Sequence, residues 1–142
     1  MGHEGTFQKV GKTDQRMYGP RGVLVCGYPA SEHSFFLSLM EKNGLAAIPV
    51  VFVTDRDAAG TLSSLLALED RHGEGEGCRM GRAVVMSGFT QKEIHTLINA
   101  YRKSGRPSQL WATLTPVSEK WSVSALLTEL AAEAEAVRRQ RR

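Results

Sequence analysis

Four short apolar runs punctuate the chain, and each is followed by polar turn residues and then by apolar positions at helical spacing. Val23-Leu24-Val25-Cys26 lies between Gly22 and Gly27, and its length and β-branched content predict a buried strand. After Gly27-Tyr28-Pro29 the pattern changes period. Phe36, Leu37 and Met40, widened by Phe35 and Leu39, predict a helix with Glu32 in its first turn and Asn43-Gly44 as its stop. Pro49–Val53 predicts a second strand, Thr54-Asp55-Arg56-Asp57 a loop, and Thr61 the N-cap of a short helix through Leu62, Leu65, Leu66 and Ala67. The glycine-rich stretch His72–Gly81 predicts a flexible linker. Beyond it, Ala83–Met86 predicts the third strand and Thr90-Gln91-Lys92-Glu93 a capping box. Ile94, Leu97, Ile98 and Tyr101 form an apolar stripe that Ser104-Gly105 closes. Leu110–Leu114 is half-alternating, as suits a strand near an edge. Ser122 then caps a last, longest helix with Val123, Leu126, Leu127, Leu130, Ala134 and Val137 on one face.

Residues 23–70 laid over 84–131 at a constant offset of 61 give nine identities in 48 positions. They fall on Val23/Val84, Gly27/Gly88, Glu32/Glu93, Lys42/Lys103, Gly44/Gly105, Thr54/Thr115, Ser63/Ser124 and two leucine pairs, mostly turn, helix-start and core positions. Self-similarity of this kind predicts a duplicated βαβα unit. Strands alternating with helices favour an α/β fold with a four-stranded, mostly parallel sheet. The order 2-1-3-4 is expected, with the first strand of each half side by side; a ferredoxin-like mixed sheet is the alternative. The organisation read from this is a polar N-terminal arm (1–22) with one short edge strand near Thr6–Val10, and a single pseudo-symmetric domain (23–137). That domain comprises a first repeat (23–70), a linker (71–82) and a second repeat (83–137), and a basic tail (138–142) follows.

At 142 residues the chain is long enough to bury a core without staples. No apolar run approaches the roughly 18–20 residues needed to span a bilayer, and residues 1–22 are too polar for a secretory signal, so a cytoplasmic protein is expected. Cys26 and Cys78 lie in unlike settings and read as thiols. The net charge of +3 is carried by the ends: residues 22–137 hold ten basic and thirteen acidic side chains. A nucleic-acid binder wants its basic stripe on the folded face, so that partner is disfavoured.

From Val84 to Glu133 the residues VVMSGF, TQKEIHTLINAYRKSG and LTPVSEKWSVSALLTEL resemble a small bacterial module, domain of unknown function 3783. The resemblance rests on Ser87-Gly88-Phe89, Thr115-Pro116, Trp121 and the Leu126-Leu127-Glu129-Leu130 run. An Asn is common in that family before the Trp, where Ser118 stands here. The resemblance implies a fold module and no activity, substrate or cofactor. The first half shares it only through the repeat, with Gly60 at the place of Trp121 and Asp55 at that of Pro116.

Open α/β sheets bind ligands outside strand C-termini, where the strand order switches. In the expected topology this places Cys26, Gly27 and Tyr28 opposite Ser87, Gly88 and Phe89 in one cleft, with Asp55 and Thr115 at the ends of the outer strands. Helix N-termini there would offer free N–H donors to an anion. The competing explanation is that both glycines only permit tight turns while the two rings fill core. Cys26 is a candidate thiol nucleophile, and Asp55 with Asp57 a candidate acid–base or Mg²⁺ pair. Burial and solvation are the commoner fates of such groups. His3, His33, His72 and His95 have no ligand spacing, the helical His33 and His95 are expected on exposed faces, and no metal or cofactor is expected. Trp111 and Trp121 are candidate anchors for a partner. No nucleophile–base–orienter set assembles from these residues. The sequence therefore points to a non-catalytic module that binds a small ligand or a protein partner, with homo-oligomers left open. The alternatives are an enzyme using Cys26, Asp55 and Ser87, and a nucleic-acid binder using the basic ends.

Overall fold

The computed structural model describes residues 15–140. The expected strand near Thr6–Val10, His3 and the last two arginines of the tail lie outside them. Eight main elements follow one another: β1 (Gly22–Cys26), α1 (His33–Lys42), β2 (Val50–Phe52), α2 (Leu62–Leu66), β3 (Ala83–Ser87), α3 (Gln91–Lys103), β4 (Leu110–Thr113) and α4 (Val123–Gln140). Short 3-10 turns precede α1 and follow β2 and β4. The four strands form one open sheet in the order β2-β1-β3-β4. β1 runs parallel to β2, β3 runs parallel to β4, and the central pair β1·β3 is antiparallel. The sheet is thus mixed but mostly parallel, in the expected order, and the ferredoxin-like alternative is set aside.

Side chains alternate across the sheet and divide the interior into two layers. Val23, Val25, Val84 and Met86 face α1 and α3, with Phe36, Met40, Leu97 and Tyr101 packed on them. Leu24, Cys26, Ala83 and Val85 face α2 and α4, against Leu62, Leu65, Val123 and Leu126. All of these are buried, which is why the apolar runs of the central strands are unbroken. Val137, the far end of the α4 stripe, is exposed.

The pairings recur at the separation of 61. Val23↔Val50 and Val84↔Trp111 correspond, as do Val25↔Phe52 and Met86↔Thr113. In the centre Leu24 pairs with Val85, its own counterpart, and Val23↔Met86 answers Val25↔Val84. A second such contact lies beneath the α2 and α4 layer. Leu62 N–H donates to Trp121 O (3.0 Å) and Val123 N–H to Gly60 O (3.1 Å), about a Thr61↔Ser122 bridge.

The antiparallel centre sets one residue just before each strand beside the turn that leaves the other. Arg21 reaches across to Glu93 at the start of α3, and Arg82 reaches across to Glu32 ahead of α1. Arg21 also donates to Gly88 O at 2.9 Å. Arg21 draws the Glu93 carboxyl below its ordinary value, against its partial burial and with help from the Thr90 amide. Both arginines are held in their charged form.

His72–Gly81 is not the flexible linker that its glycines suggested, and the chain leading into it is also bonded. Arg71 N–H donates to Val50 O (2.6 Å), His72 O accepts from Phe52 N–H (2.8 Å), and the Asp70 carboxylate accepts from Val50 N–H (2.8 Å). The segment therefore covers the outer edge of β2, a sensible use of chain because an open strand edge invites aggregation. It then passes His33, which is buried rather than exposed as expected. Its ring stacks on Phe52 at 4.0 Å and its Nδ1 accepts from Gly75 N–H at 3.0 Å. Burial lowers the His33 pKa, so the neutral ring is the form that packs there.

Gly27 has φ +77° and Gly44 has φ +75°, but only Gly27 is crowded: an added Cβ would sit 2.4 Å from Met80 O. Chemical denaturation should show Gly44→Ala costing about 1 kcal/mol, and Gly27→Ala at least roughly twice that. Equal costs would mean that the backbone at 80–81 does not rest on this turn. Glu93→Gln should keep the helix cap and lose the ion pair, about 1–2 kcal/mol at neutral pH, between exposed and buried pairs. Because the folded carboxyl titrates below its ordinary value of 4.5, that difference is full above it and is lost as pH falls through the folded value. Denaturation midpoints of the two proteins should therefore converge in acid.

Candidate functional site

The single cleft expected between the two glycine turns is not built. In the antiparallel β1·β3 ladder Cys26 pairs with Ala83, and Ser87 pairs with Gly22. The C-terminal ends of the two strands thus lie four positions apart, about 13 Å, at opposite ends of the sheet. Cys26, Gly27, Tyr28 and Asp55 gather at one end, and Ser87, Gly88, Phe89 and Thr115 at the other. The expectation failed because it gave β1 and β3 a common direction.

Each end is also packed shut. Cys26 is 1% exposed, and burial pushes its thiol up to about 12, which leaves no thiolate at neutral pH. Met80 and Gly81 lie over the Gly27 turn, and Gly19 and Arg21 over the Gly88 turn. Ser87 Oγ is buried with no hydrogen-bond partner among the described residues. Phe89 fills core, as the competing explanation held. Thr115 is taken up by Ser118: Thr115 N–H donates to Ser118 Oγ and Ser118 N–H to Thr115 Oγ1, both at 3.0 Å. Asp55 is exposed and accepts from Arg79 N–H at 2.9 Å. Its neighbour Asp57 turns away to cap its own 3-10 turn, accepting from Thr54 N–H (2.9 Å), and meets His72 Nε2 at 3.1 Å. Burial works to raise the Asp57 pKa, and these partners outweigh it, so the carboxyl lies below its ordinary value. The two aspartates are not a shared acid–base pair, and among the described residues no group of three His, Cys, Asp or Glu is placed to hold a metal.

The two tryptophans do not make one anchor. Trp111 is half-buried against the α1 and α3 layer, edge-on to Tyr101 at 5.6 Å, whereas Trp121 packs against the opposite layer. Arg138 and Arg139 at the end of α4 both pair with Glu135, so part of the tail charge is neutralised on its own helix.

Of the expected site residues, Tyr28, itself buried, and Trp111 border a polar cluster. The Arg82 guanidinium stacks 4.2 Å over the Tyr28 ring, donates to Tyr101 Oη (2.8 Å) and pairs with Glu32 (3.0 Å). Tyr28 Oη–H donates to Gln109 Oε1 at 2.7 Å. Burial raises the Tyr28 pKa, so the phenol is a donor and not a base. Arg106 shares Glu32 at 3.4 Å and lies 3.9 Å over the Phe35 ring. Two hollows meet at Ser108 and Gln109. One of about 290 Å³ is lined by Tyr101, Arg102, Arg106 and Trp111, and one of about 350 Å³ by Gly81, Arg82 and Leu110. Two buried donors beside them, Arg82 Nε and Gln109 Nε2, have no hydrogen-bond partner among the described residues. A buried donor left unmade costs about 1–3 kcal/mol.

This cluster escaped the sequence reading. The signal was Arg21 and Arg82, which also stand 61 apart but fall just outside the aligned 23–70. The other half has no copy of the basic hollow. Glu41, Leu45 and Ile48 occupy the places of Arg102, Arg106 and Gln109, and the hollow there holds only about 40 Å³.

Residues 82–137 match the family model described as "Domain of unknown function (DUF3783)". The matched stretch begins at Arg82 and contains Tyr101, Arg102, Arg106, Gln109 and Trp111, but not Tyr28 or Glu32. No curated protein and no solved structure matches the chain.

A thiol reagent should modify Cys78 in the native protein, because it is partly exposed, and reach Cys26 only after denaturant is added. Rapid native labelling of Cys26, read by mass spectrometry of the peptides, would contradict the closed turn.

Proposed function

We propose that the protein is a non-catalytic binding module that takes a small anion, a phosphate or carboxylate, in the groove between Arg82, Arg106 and Gln109. The observation that carries this reading is a pair of donors beside that groove, Arg82 Nε and Gln109 Nε2, buried and without a partner among the described residues. Three guanidinium groups, Arg82, Arg102 and Arg106, surround it against the single carboxylate of Glu32. Planar guanidinium groups match the oxygens of phosphates and carboxylates. Tyr28 and Tyr101 fix the Arg82 head from two sides, so little ordering is left for binding to accomplish. The enzyme reading loses its support, since its three residues are buried, occupied or at opposite ends of the sheet. We also read the two halves as descendants of one duplicated bacterial unit of about sixty residues, on the recurrence of strand register, caps and cross-reaching arginines at one offset. A cytoplasmic setting suits the two unpaired thiols.

The test uses the first half as its guide: Arg106→Leu and Gln109→Ile install residue types that the fold already tolerates at Leu45 and Ile48. Inorganic phosphate and succinate should each be titrated against the thermal midpoint and the tryptophan fluorescence, with Trp121→Phe leaving Trp111 as the reporter. A saturable rise is expected, about 2.7 kcal/mol of stabilisation at a hundred times Kd, and either substitution should abolish it. A flat titration for both anions, or an unchanged rise in both variants, removes the site.

A further inference from the structure

β4 is the outermost strand on its side, and among the described residues its outer edge has no strand partner. The amides of Leu110 and Leu114 donate inward, to Arg82 O and Met86 O, so Trp111 and Thr113 turn their N–H and C=O groups outward. At the opposite edge of the sheet the same two places are filled. Val50 O and Phe52 N–H, which correspond to Trp111 and Thr113 at the separation of 61, bond to the main chain of Arg71 and His72. An outer strand of this sheet thus already takes main chain along its edge.

Two unlike hollows flank the outward groups of β4. The basic one lies at the start of the strand, lined by Arg102, Arg106, Ser108 and Gln109. Trp111 forms part of its wall and borders, further along the strand, an apolar hollow of about 350 Å³ that reaches Ala112 and Thr113. This second hollow has walls from both layers: Met86, Ile94 and Ile98 belong with α1 and α3, and Leu130 with α2 and α4. From Gln109 to Thr113 is about 13 Å of strand. A strand laid on that edge sends alternate side chains to the two layers. Those opposite Trp111 and Thr113 face Ile94 and Ile98, and the one between them faces Leu130. Charge sets the direction. Antiparallel to β4, such a strand finishes beside Gln109, where Arg102 and Arg106 outnumber the one carboxylate of Glu32 and suit a terminal carboxylate. Parallel to β4, it would bring a terminal ammonium among the same cations.

We infer that the groove takes the carboxy-terminal end of an apolar polypeptide, added antiparallel to β4. Its carboxylate occupies the basic hollow, its last side chains enter the apolar one, and its main chain exchanges hydrogen bonds with Trp111 and Thr113. The inference rests on the anion-binding reading of the basic hollow, and adds to it the class of partner and the strand edge.

The probe is a pool of synthetic hexapeptides that begin Lys-Ser and end in residues drawn from Val, Ile, Leu and Thr, with free carboxylates, beside a matched pool of terminal amides. The full-length protein should bind the free acids about tenfold or more tighter than the amides, the worth of a charge-assisted hydrogen bond. Arg106→Leu should erase that preference. Pools N-methylated at the second or at the third residue from the end should differ: one loses binding and the other keeps it, because only alternate amides of an added strand face β4. Thr113 N–H should exchange quickly in the free protein and slowly once the free acids are added. Thr113→Pro removes that outward donor without touching the ladder to β3, so it should lose the peptides and keep the response to inorganic phosphate and succinate. Equal binding of acids and amides, or equal effects of the two methylations, overturns the inference. So does a Thr113 amide that is slow before any peptide is added, which would give the edge to another strand of this chain or of a second copy. Peptides that fail while phosphate and succinate still bind remove the strand addition alone, whereas failure of all three removes the anion groove with it.

Discussion

The antiparallel pairing of β1 with β3 is the constraint on which the remainder of the molecule depends. It carries Leu24 against Val85 in the centre of the sheet and makes each half enter beside the exit of the other. Both faces of the two central strands are thereby buried, which is where the aliphatic interior concentrates. The same pairing separates the two glycine turns and dissolves the shared cleft. It also creates the setting for Arg21 and Arg82, since only an opposed strand brings the residue before one strand next to the helix start after another.

Much of the architecture was legible because its signals are local. Apolar runs bounded by glycine marked the strands, Thr90 and Glu93 marked a helix start that bonds as a capping box should, and Thr61 and Ser122 cap as their side chains suggest. Gly44 and Gly105 both have positive φ at helix ends, where a left-handed residue stops a helix. The order of the strands followed from the offset of 61. The direction of β3 relative to β1 was not legible, because an apolar run reads the same both ways. The linker misled for a related reason. Glycines announce backbone freedom but not the partner, and the bonds of Arg71 and His72 are made by main chain that any sequence carries. The site was the least visible part. Arg82, Tyr28, Tyr101 and Gln109 lie as much as 81 positions apart, each is unremarkable alone, and only the folded sheet brings them together.

The two halves share an order of elements but present different surfaces. Positions that hold strands, caps and turn glycines keep their chemical type, while the rim of one hollow changes from Glu41, Leu45 and Ile48 to Arg102, Arg106 and Gln109. These positions differ in burial as well as charge: Leu45 and Ile48 are core, whereas Arg102 and Arg106 are exposed. Arg106 still packs, over the Phe35 ring, so the charged rim covers the edge of the α1 and α3 layer and leaves the sheet as it is.

The crossed arginines carry a consequence for how the molecule comes apart. Neither half owns the cation that steadies its own first helix; each takes it from the other, as it takes the neighbour for its first strand. Cutting the chain near residue 75 would leave both pieces with an orphaned carboxylate and a raw β edge. The halves are therefore not modules joined by a tether but a single cooperative body, folding and melting together.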